Sequence, residues 1–377
     1  KEWKEIDQLK RKGLPKSALE LVNKIYDKAK AAKNEPQQIK AFIQKEELTS
    51  ESIENAIDTI YIHYLNEIKI VSNPSASILK SILAETLHNY LQQNIWKFQN
   101  RTALSDTDAN QDIQSWDISR FNREIQKLYL SSVYDLTDKA LPIDTYKSII
   151  HNEDKKYLQQ LYEFLLYRAT LALKSPNHYI TEPVYKFTVN LPEYFASNLE
   201  FANLNINSLD SSSNMYLTMK LFQDGTKYIL ASKNGLALID LDIRRLEFVY
   251  QNTTLANKKD LYLNALNRII VQNPNHPEIL RAYYLKANLY YEEGSRYDKQ
   301  NKTGNKNGYV EAMKVIDEVL KKHDKNVNDF INLKNQITLV TYDHQLEAIN
   351  LPEKPILMKC SLRNSDKLFV KIIPNYP

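Results

Sequence analysis

The sequence predicts a mainly α-helical fold: antiparallel helical hairpins in a tetratricopeptide-like or α-solenoid array, followed by a short β segment that begins a β-sandwich. Three observations carry this expectation. Apolar residues recur at helical spacing from Glu2 to about Asn335. Almost no glycine interrupts them: only six occur, at positions 13, 225, 235, 294, 304 and 308. After Gln336 the pattern changes to short runs rich in β-branched and aromatic residues.

Taken in order, Ala18, Leu21, Val22, Ile25 and Ala29 follow the i, i+3, i+4, i+7, i+11 stripe of an amphipathic helix. Ile53, Ala56, Ile57, Ile60, Tyr64, Leu65 and Ile68 form a second stripe. Ile78, Leu79, Ile82, Leu83, Thr86, Leu87, Tyr90 and Leu91 form a third, and Leu158, Leu161, Tyr162, Leu165, Ala169, Ala172 and Leu173 a fourth. Pro15, Pro36, Pro74, Pro142 and Pro274 fall near the breaks, where proline suits a first helical turn or a stop. Two longer interruptions are expected: a polar loop over residues 100–115, and an extended segment over the surface at residues 175–192, with Pro176, Pro183 and Pro192.

Tetratricopeptide spacing is matched loosely. Tyr284, Ala287, Asn288 and Tyr291 fit the first helix of such a hairpin, and Ala312, Ile316, Val319 and Leu320 the second. An insertion separates them, from Gly294 to Gly308. Its polar, lysine-rich composition predicts a mobile basic loop projecting from the hairpin, with Tyr297, Lys299, Lys302 and Lys306 as the candidate partner contact. A tolerated surface insertion explains the same residues. Leu9, Gly13, Ala18 and Val22 match further repeat positions, and a generic helical hairpin array explains these matches nearly as well.

The terminal segment reads as strands at 337–342, 356–362 and 367–373, the last two joined by a hairpin turn at Arg363–Asp366. Domains are therefore expected at 1–335 (helical repeat region) and 336–377 (opening strands of a β-sandwich that continues beyond Pro377). A few strands cannot make a self-sufficient sheet.

Composition excludes several function classes. With 43% hydrophobic and 25% charged residues, the chain is ordinary for a globular protein. No apolar run approaches the ~20 residues of a membrane-spanning helix. The net charge of +4 arises at the start, where residues 1–33 hold ten Lys/Arg against five Asp/Glu. These alternate with an apolar stripe, so they read as a solvated helix face rather than a nucleic-acid patch. No glycine spacing of a phosphate-cradling loop occurs.

No catalytic, cofactor or metal site is expected. His63 and Glu67 stand at i, i+4 and read as a helix-surface pair, because no second histidine accompanies them. His151–Glu153 and His276–Glu278 read as helix starts, Ser211–Ser213 as a loop, and Asp240 with Asp242 as solvated carboxylates. Cys360, the single cysteine, reads as a buried inert thiol. The doublets Tyr283–Tyr284 and Tyr290–Tyr291 read as packing between helices, with a ligand-stacking platform as the alternative.

Three stretches carry a resemblance. Trp3–Ala18, Gln92–Arg101, and Leu351–Pro355 followed by Arg363–Phe369 resemble the N-terminal part of large bacterial alpha-2-macroglobulin family proteins, over essentially the whole chain. The resemblance implies a helical region ahead of macroglobulin-type β-sandwiches, in a protein that entraps proteases outside the cytoplasm, at the periplasm or cell surface. Lipid anchoring of the full-length protein is compatible with it. Many members carry a Cys-Gly-Glu-Gln thioester. Here Cys360 is followed by Ser361, Leu362 and Arg363, so no thioester role transfers. The expected function is thus a non-catalytic scaffold for protein partners: proteases engaged through the full-length protein, its own downstream β-domains or envelope proteins. No nucleic acid and no cofactor are expected. The alternative is a stand-alone helical envelope protein, such as a glycan-capture lipoprotein.

Overall fold

A computed structural model describes residues 2–53, 56–99, 101, 112–150, 157–175, 184–301, 303–349, 354–371 and 373. Among these the protein is mainly helical, with fourteen α-helices and one two-stranded antiparallel sheet near the C-terminus. The chain divides into two compact units, residues 1–265 and 266–377, so the last hairpin helices group with the strands.

In the first unit helices follow one another and pack as chain neighbours. They are α1 (Glu2–Arg11), α2 (Pro15–Ala31), α3 (Glu35–Ser52), α4 (Ile57–Ile70) and α5 (Asn73–Phe98). Pro15, Pro36 and Pro74 each sit in a first turn, where the missing N–H costs nothing. The stripe read from sequence is the buried one in α2: Ala18, Val22, Ile25 and Ala29. Helix direction follows from side-chain links. Glu2 at the start of α1 meets Lys28 at the end of α2, so these run antiparallel. Trp3 donates to Gln37 and Lys10 to Gln44, both 34 residues on, so α1 and α3 run parallel. That offset is one tetratricopeptide period. It is a single hairpin interval, not a demonstrated array.

Helix α6 (Ile118–Tyr134) returns along α5, with Phe121 against Phe98 at one end and Asp135 against Lys80 at the other. Helices α7 (Leu161–Leu173), α8 (Asn198–Ala202), α9 (Asn214–Ser232), α10 (Gly235–Asn252) and α11 (Lys258–Gln272) follow. Gly225 lets α9 lie close to α7 and α10. A Cβ there would collide with the Leu166 side chain and stand 3.2 Å from Leu241 Cδ2. Of the expected loop at 100–115, only Arg101 and residues 112–115 are described, the last three as a 3₁₀ turn. Of the segment expected at 175–192, residues 186–191 form neither helix nor sheet, as read, but they are not merely superficial. After a turn at Val184 and Tyr185, Phe187 and Val189 are buried while Lys186 and Thr188 are exposed, as alternate residues of an extended chain face opposite sides.

Two charged positions overturn the sequence reading. Asp240 and Asp242 are buried rather than solvated. Asp240 pairs with Arg244 at 2.8 Å, and Asp242 pairs with Arg245, itself 0% exposed. Arg245 also donates to the carbonyl oxygens of Tyr194 and Ala196, both at 2.8 Å, and its guanidinium lies over the Phe201 ring. The two carbonyls bring the cation inside and the carboxylate follows it. Similarly, His63 and Glu67 are not a surface pair. Glu67 is buried, accepting from Tyr26 Oη and Gln38 Nε2 at 2.8 Å, while His63 Nδ1 lies 3.0 Å from Glu46.

In the second unit α12 (Ile279–Ser295) and α13 (Gly308–Lys322) form an antiparallel hairpin. Tyr291 packs on Tyr309 near the turn, and Tyr283 donates to Glu318 at the far end. Tyr284 packs edge-on against Phe330 of α14 (Asn328–Thr338), so these tyrosines serve interhelix packing. His276 Nδ1 accepts the Glu278 N–H ahead of α12, while burial depresses the imidazole pKa. His151 and Glu153 lie outside the described residues.

The strands are displaced from their expected places. Residues 337 and 338 belong to α14, whose Phe330, Leu333 and Ile337 face inward at helical spacing. Strand β1 (Thr341–Leu346) pairs with β2 (Met358–Arg363), Thr341 opposite Arg363 and Leu346 opposite Met358. Among the described residues, 367–371 and 373 carry no strand to complete the hairpin expected at Arg363–Asp366. Instead Asn364, at φ 57°, donates to the carbonyls of Ile337 and Leu339 at 2.8 and 2.9 Å. Arg363 donates to Gln336 and Ile337 and covers the Tyr309 ring. The end of β2 is thus tied to the end of α14, which takes the following residues off the path of a hairpin.

Candidate functional site

The loop between α12 and α13 does not project as expected. Its ends touch: a Cβ on Gly308 would stand 2.6 Å from both Gly294 Cα and Tyr290 O. Asp298 and Thr303 exchange both backbone hydrogen bonds, Asn305 N donates to Glu293 O at 2.9 Å, and Thr303 Oγ1 donates to Arg296 O. The Asp298 carboxylate accepts from the backbone N–H groups of Gln300 and Asn301 and from the Asn301 amide, which holds its pKa below the usual range. Gly304, at φ 68°, fits against Glu293 O, where any side chain would collide. The loop is therefore a compact cap folded on the hairpin end. Tyr297 (41% exposed), Lys299 and Lys306 are on its surface, and Lys302 lies outside the described residues. Arg296 is occupied by Glu292 at 2.8 Å.

The terminal sheet has two unlike faces. Paired residues project to the same side, so Tyr342, His344 and Leu346 share one face with Leu362, Cys360 and Met358. Thr341, Asp343 and Gln345 share the other with Arg363, Ser361 and Lys359. The first face is apolar apart from His344, whose ring stacks on Tyr342 at 5.2 Å. All of β1 is exposed, and so is most of β2. Cys360 is accordingly exposed rather than buried: its position mid-strand was legible, but none of the described residues covers its face. Ile356, Leu357, Leu368, Phe369 and Val370 extend the exposed apolar surface.

A cleft of about 550 Å³ opens in the first unit between α5, α6, α7 and the start of α9. Its floor is apolar, made by Leu91, Ile125 and Leu173, all buried. Its polar lining is uncharged or imidazole: His88, Gln92, Asn122, Gln126, Ser175 and Asn214. Gln126 is buried and fixed, its Nε2 donating at 2.7 Å to both Ser212 O and Asn214 Oδ1. Asn214 Nδ2 in turn donates to Ser175 O at 3.1 Å. Periodicity overlooks this cleft because its polar residues lie beside the apolar stripes. The available signal was the pair of i, i+4 polar doublets, His88/Gln92 and Asn122/Gln126.

The buried acids lie elsewhere. Burial raises the Glu46 carboxyl pKa against the opposing pull of His63, and it raises that of Glu163 although Gln159 N, Gln160 N and Asn234 Nδ2 donate to it. Among the described residues no group of three or more His, Cys, Asp or Glu is placed to hold a metal ion. None of their helices is long and apolar enough to cross a membrane. No protein-family model, curated protein or solved structure matches this chain.

Proposed function

We propose that this chain is a non-catalytic scaffold, the helical N-terminal region of an extracytoplasmic protease-trapping protein similar to the alpha-2-macroglobulins. The observation that supports this reading is the uncovered apolar face of the β1–β2 sheet. A two-stranded sheet is marginal alone, and an exposed face of Tyr342, Leu346, Met358, Cys360 and Leu362 calls for a second layer. In the proposed protein that layer is supplied by later strands of a macroglobulin-type β-sandwich. The tie from Arg363 and Asn364 to the carbonyls at the end of α14 would then anchor the sandwich to the helices. Protein partners act on the whole assembly. The compact loop bearing Tyr297, Lys299, Lys302 and Lys306 is the proposed contact for a partner or for the downstream domains.

Cys360 reports on the sheet directly. Its thiol should react readily with a disulfide reagent in the 377-residue chain and become strongly protected in the protein expressed from the complete reading frame. The complete protein, mixed with an active protease, should leave cleavage of a small chromogenic peptide intact while blocking cleavage of a large protein substrate. A complete protein that adds no strands and leaves Cys360 equally reactive would refute the trap. That outcome favours the stand-alone binding protein.

A further inference from the structure

We propose that the outer edge of β2 is a self-association surface, pairing antiparallel with β2 of a second copy of this chain about a two-fold axis at Cys360. The reading does not rest on protease trapping, because a layer over the apolar face leaves that edge open. The first observation is the edge itself. Among the described residues, no backbone group of Met358–Leu362 hydrogen-bonds outside the β1–β2 pair, and Lys359 to Leu362 are exposed. In an antiparallel ladder alternate residues turn N–H and C=O away from their partner strand, and such a row is a template for another strand. The pairing with β1 runs one to one without a bulge, and no proline interrupts β2, so two of the usual devices that blunt an edge are missing.

The second observation is that β2 complements itself. In a two-fold antiparallel pair like faces stay together only when the axis passes through a residue. Centred on Lys359, the register sets that lysine against its own copy. Centred on Ser361, it sets Lys359 against Arg363 of the second copy. Centred on Cys360, Lys359 faces Ser361, Met358 faces Leu362, and no like charges oppose. Lys359 thus blocks the registers on either side and leaves the one between.

The third is continuity. That register joins the apolar row of Tyr342, Leu346, Met358, Cys360 and Leu362 to the same row of the second copy. A two-stranded sheet is marginal alone, and the pairing gives each copy the strands it lacks. An acidic strand from another protein is a poorer occupant. It would call on both cations of β2, and Arg363 is already engaged by the carbonyls of Gln336 and Ile337 and by the Tyr309 ring.

Sedimentation of the full chain under reductant should show a concentration-dependent dimer. Ser361→Lys separates dimer from fold. Within the sheet it places an ammonium opposite Asp343, which keeps the β1–β2 pair, but across the axis it opposes Lys359 twice. Two repelling pairs should raise the dimer Kd by about tenfold. Adding Lys359→Glu makes both pairs attractive and should restore the dimer. Oxidised glutathione should link the parent chains through Cys360, since opposed Cα atoms about 4.5–5.5 Å apart lie within disulfide reach. The two thiols pass two electrons and two protons to it, releasing two reduced glutathiones. A chain that stays monomeric through the micromolar range overturns the proposal. So does a dimer indifferent to Ser361→Lys, as association through the apolar face would be, or one that Lys359→Glu fails to restore. Dissociation instead by Gln345→Glu, which opposes Asp343 in the corresponding β1–β1 pairing, also overturns it.

Discussion

Replacing Asp242 with alanine removes, among the described residues, the carboxylate paired with Arg245, a cation with no exposed surface. Arg245 would keep the carbonyls of Tyr194 and Ala196 and the Phe201 ring. It would lose its counter-charge. Removing one partner of a buried pair typically costs about 3–5 kcal/mol, because the other charge stays buried and uncompensated. The retained carbonyls and ring place the expected loss at the low end, about 3 kcal/mol. For a unit of this size that corresponds to a fall in Tm of about 6–12 °C. Calorimetry of the Asp242→Ala protein reads this directly, with urea unfolding as a check. The double substitution Asp242→Leu with Arg245→Met, which removes both charges and keeps volume, should recover much of the loss. An Asp242→Ala protein that melts within about 2 °C of the parent would refute the argument. So would a double variant that is worse than the sum of the two singles.

Gly225→Ala forces a methyl group into Leu166 and Leu241 and should cost about 1–3 kcal/mol, read from the melting curve. Gly308→Ala meets backbone atoms that cannot rotate away, so it should cost at least as much and loosen the Tyr291–Tyr309 contact, seen by tyrosine fluorescence. Burial raises the pKa of Glu163, so the stability tied to its protonated form is fully present below the unfolded carboxyl value and is lost as pH rises through the folded one. Glu163→Gln should therefore gain on the parent as pH is raised through that window; equal slopes of the two stability–pH curves would contradict the burial argument. Replacing residues 297–304 with a short turn should leave the α12–α13 hairpin folded, because Gly294 and Gly308 already touch. Loss of helical circular dichroism would show the cap to be structural.

The helices were legible because their apolar positions recur at helical spacing, even where burial runs round the helix, as over Ser75–Leu79 of α5 and Ile239–Ile243 of α10. Ile78, Leu79, Leu83, Leu87 and Leu91 are buried in α5, as their spacing requires, together with small residues such as Ser77, Ser81 and Ala84. The same rule explains the misplaced strand. Ile337 and Thr338 favour strands locally, but Ile337 is the next inward position after Phe330 and Leu333, and packing outweighs propensity. Asp242 and Arg245 were not legible as buried because their i, i+3 pairing looks the same on a solvated face. What buries them are carbonyls 49 and 51 residues earlier. Cys360 sits in a strand that alternates properly, yet sequence alternation says which face is apolar and not whether a second layer covers it. The candidate cleft needed the distance between three helices, which no periodicity contains.

The neighbour-by-neighbour packing of α1 to α6 has a consequence for how the protein is made. Each of these helices finds its main partner in the helix next to it in the chain, so loop-closure entropy is small at every step and assembly can follow the ribosome closely. The exceptions are the links that reach far back. Arg168 returns to Ser81, 87 residues earlier, and Arg245 returns to Tyr194 and Ala196. Until α10 is complete, those carbonyls and the Phe201 ring wait without their cation. A nascent chain stalled before Arg245 should thus be helical but open to proteases around residues 194–201, and release of a few dozen more residues should close that region at once.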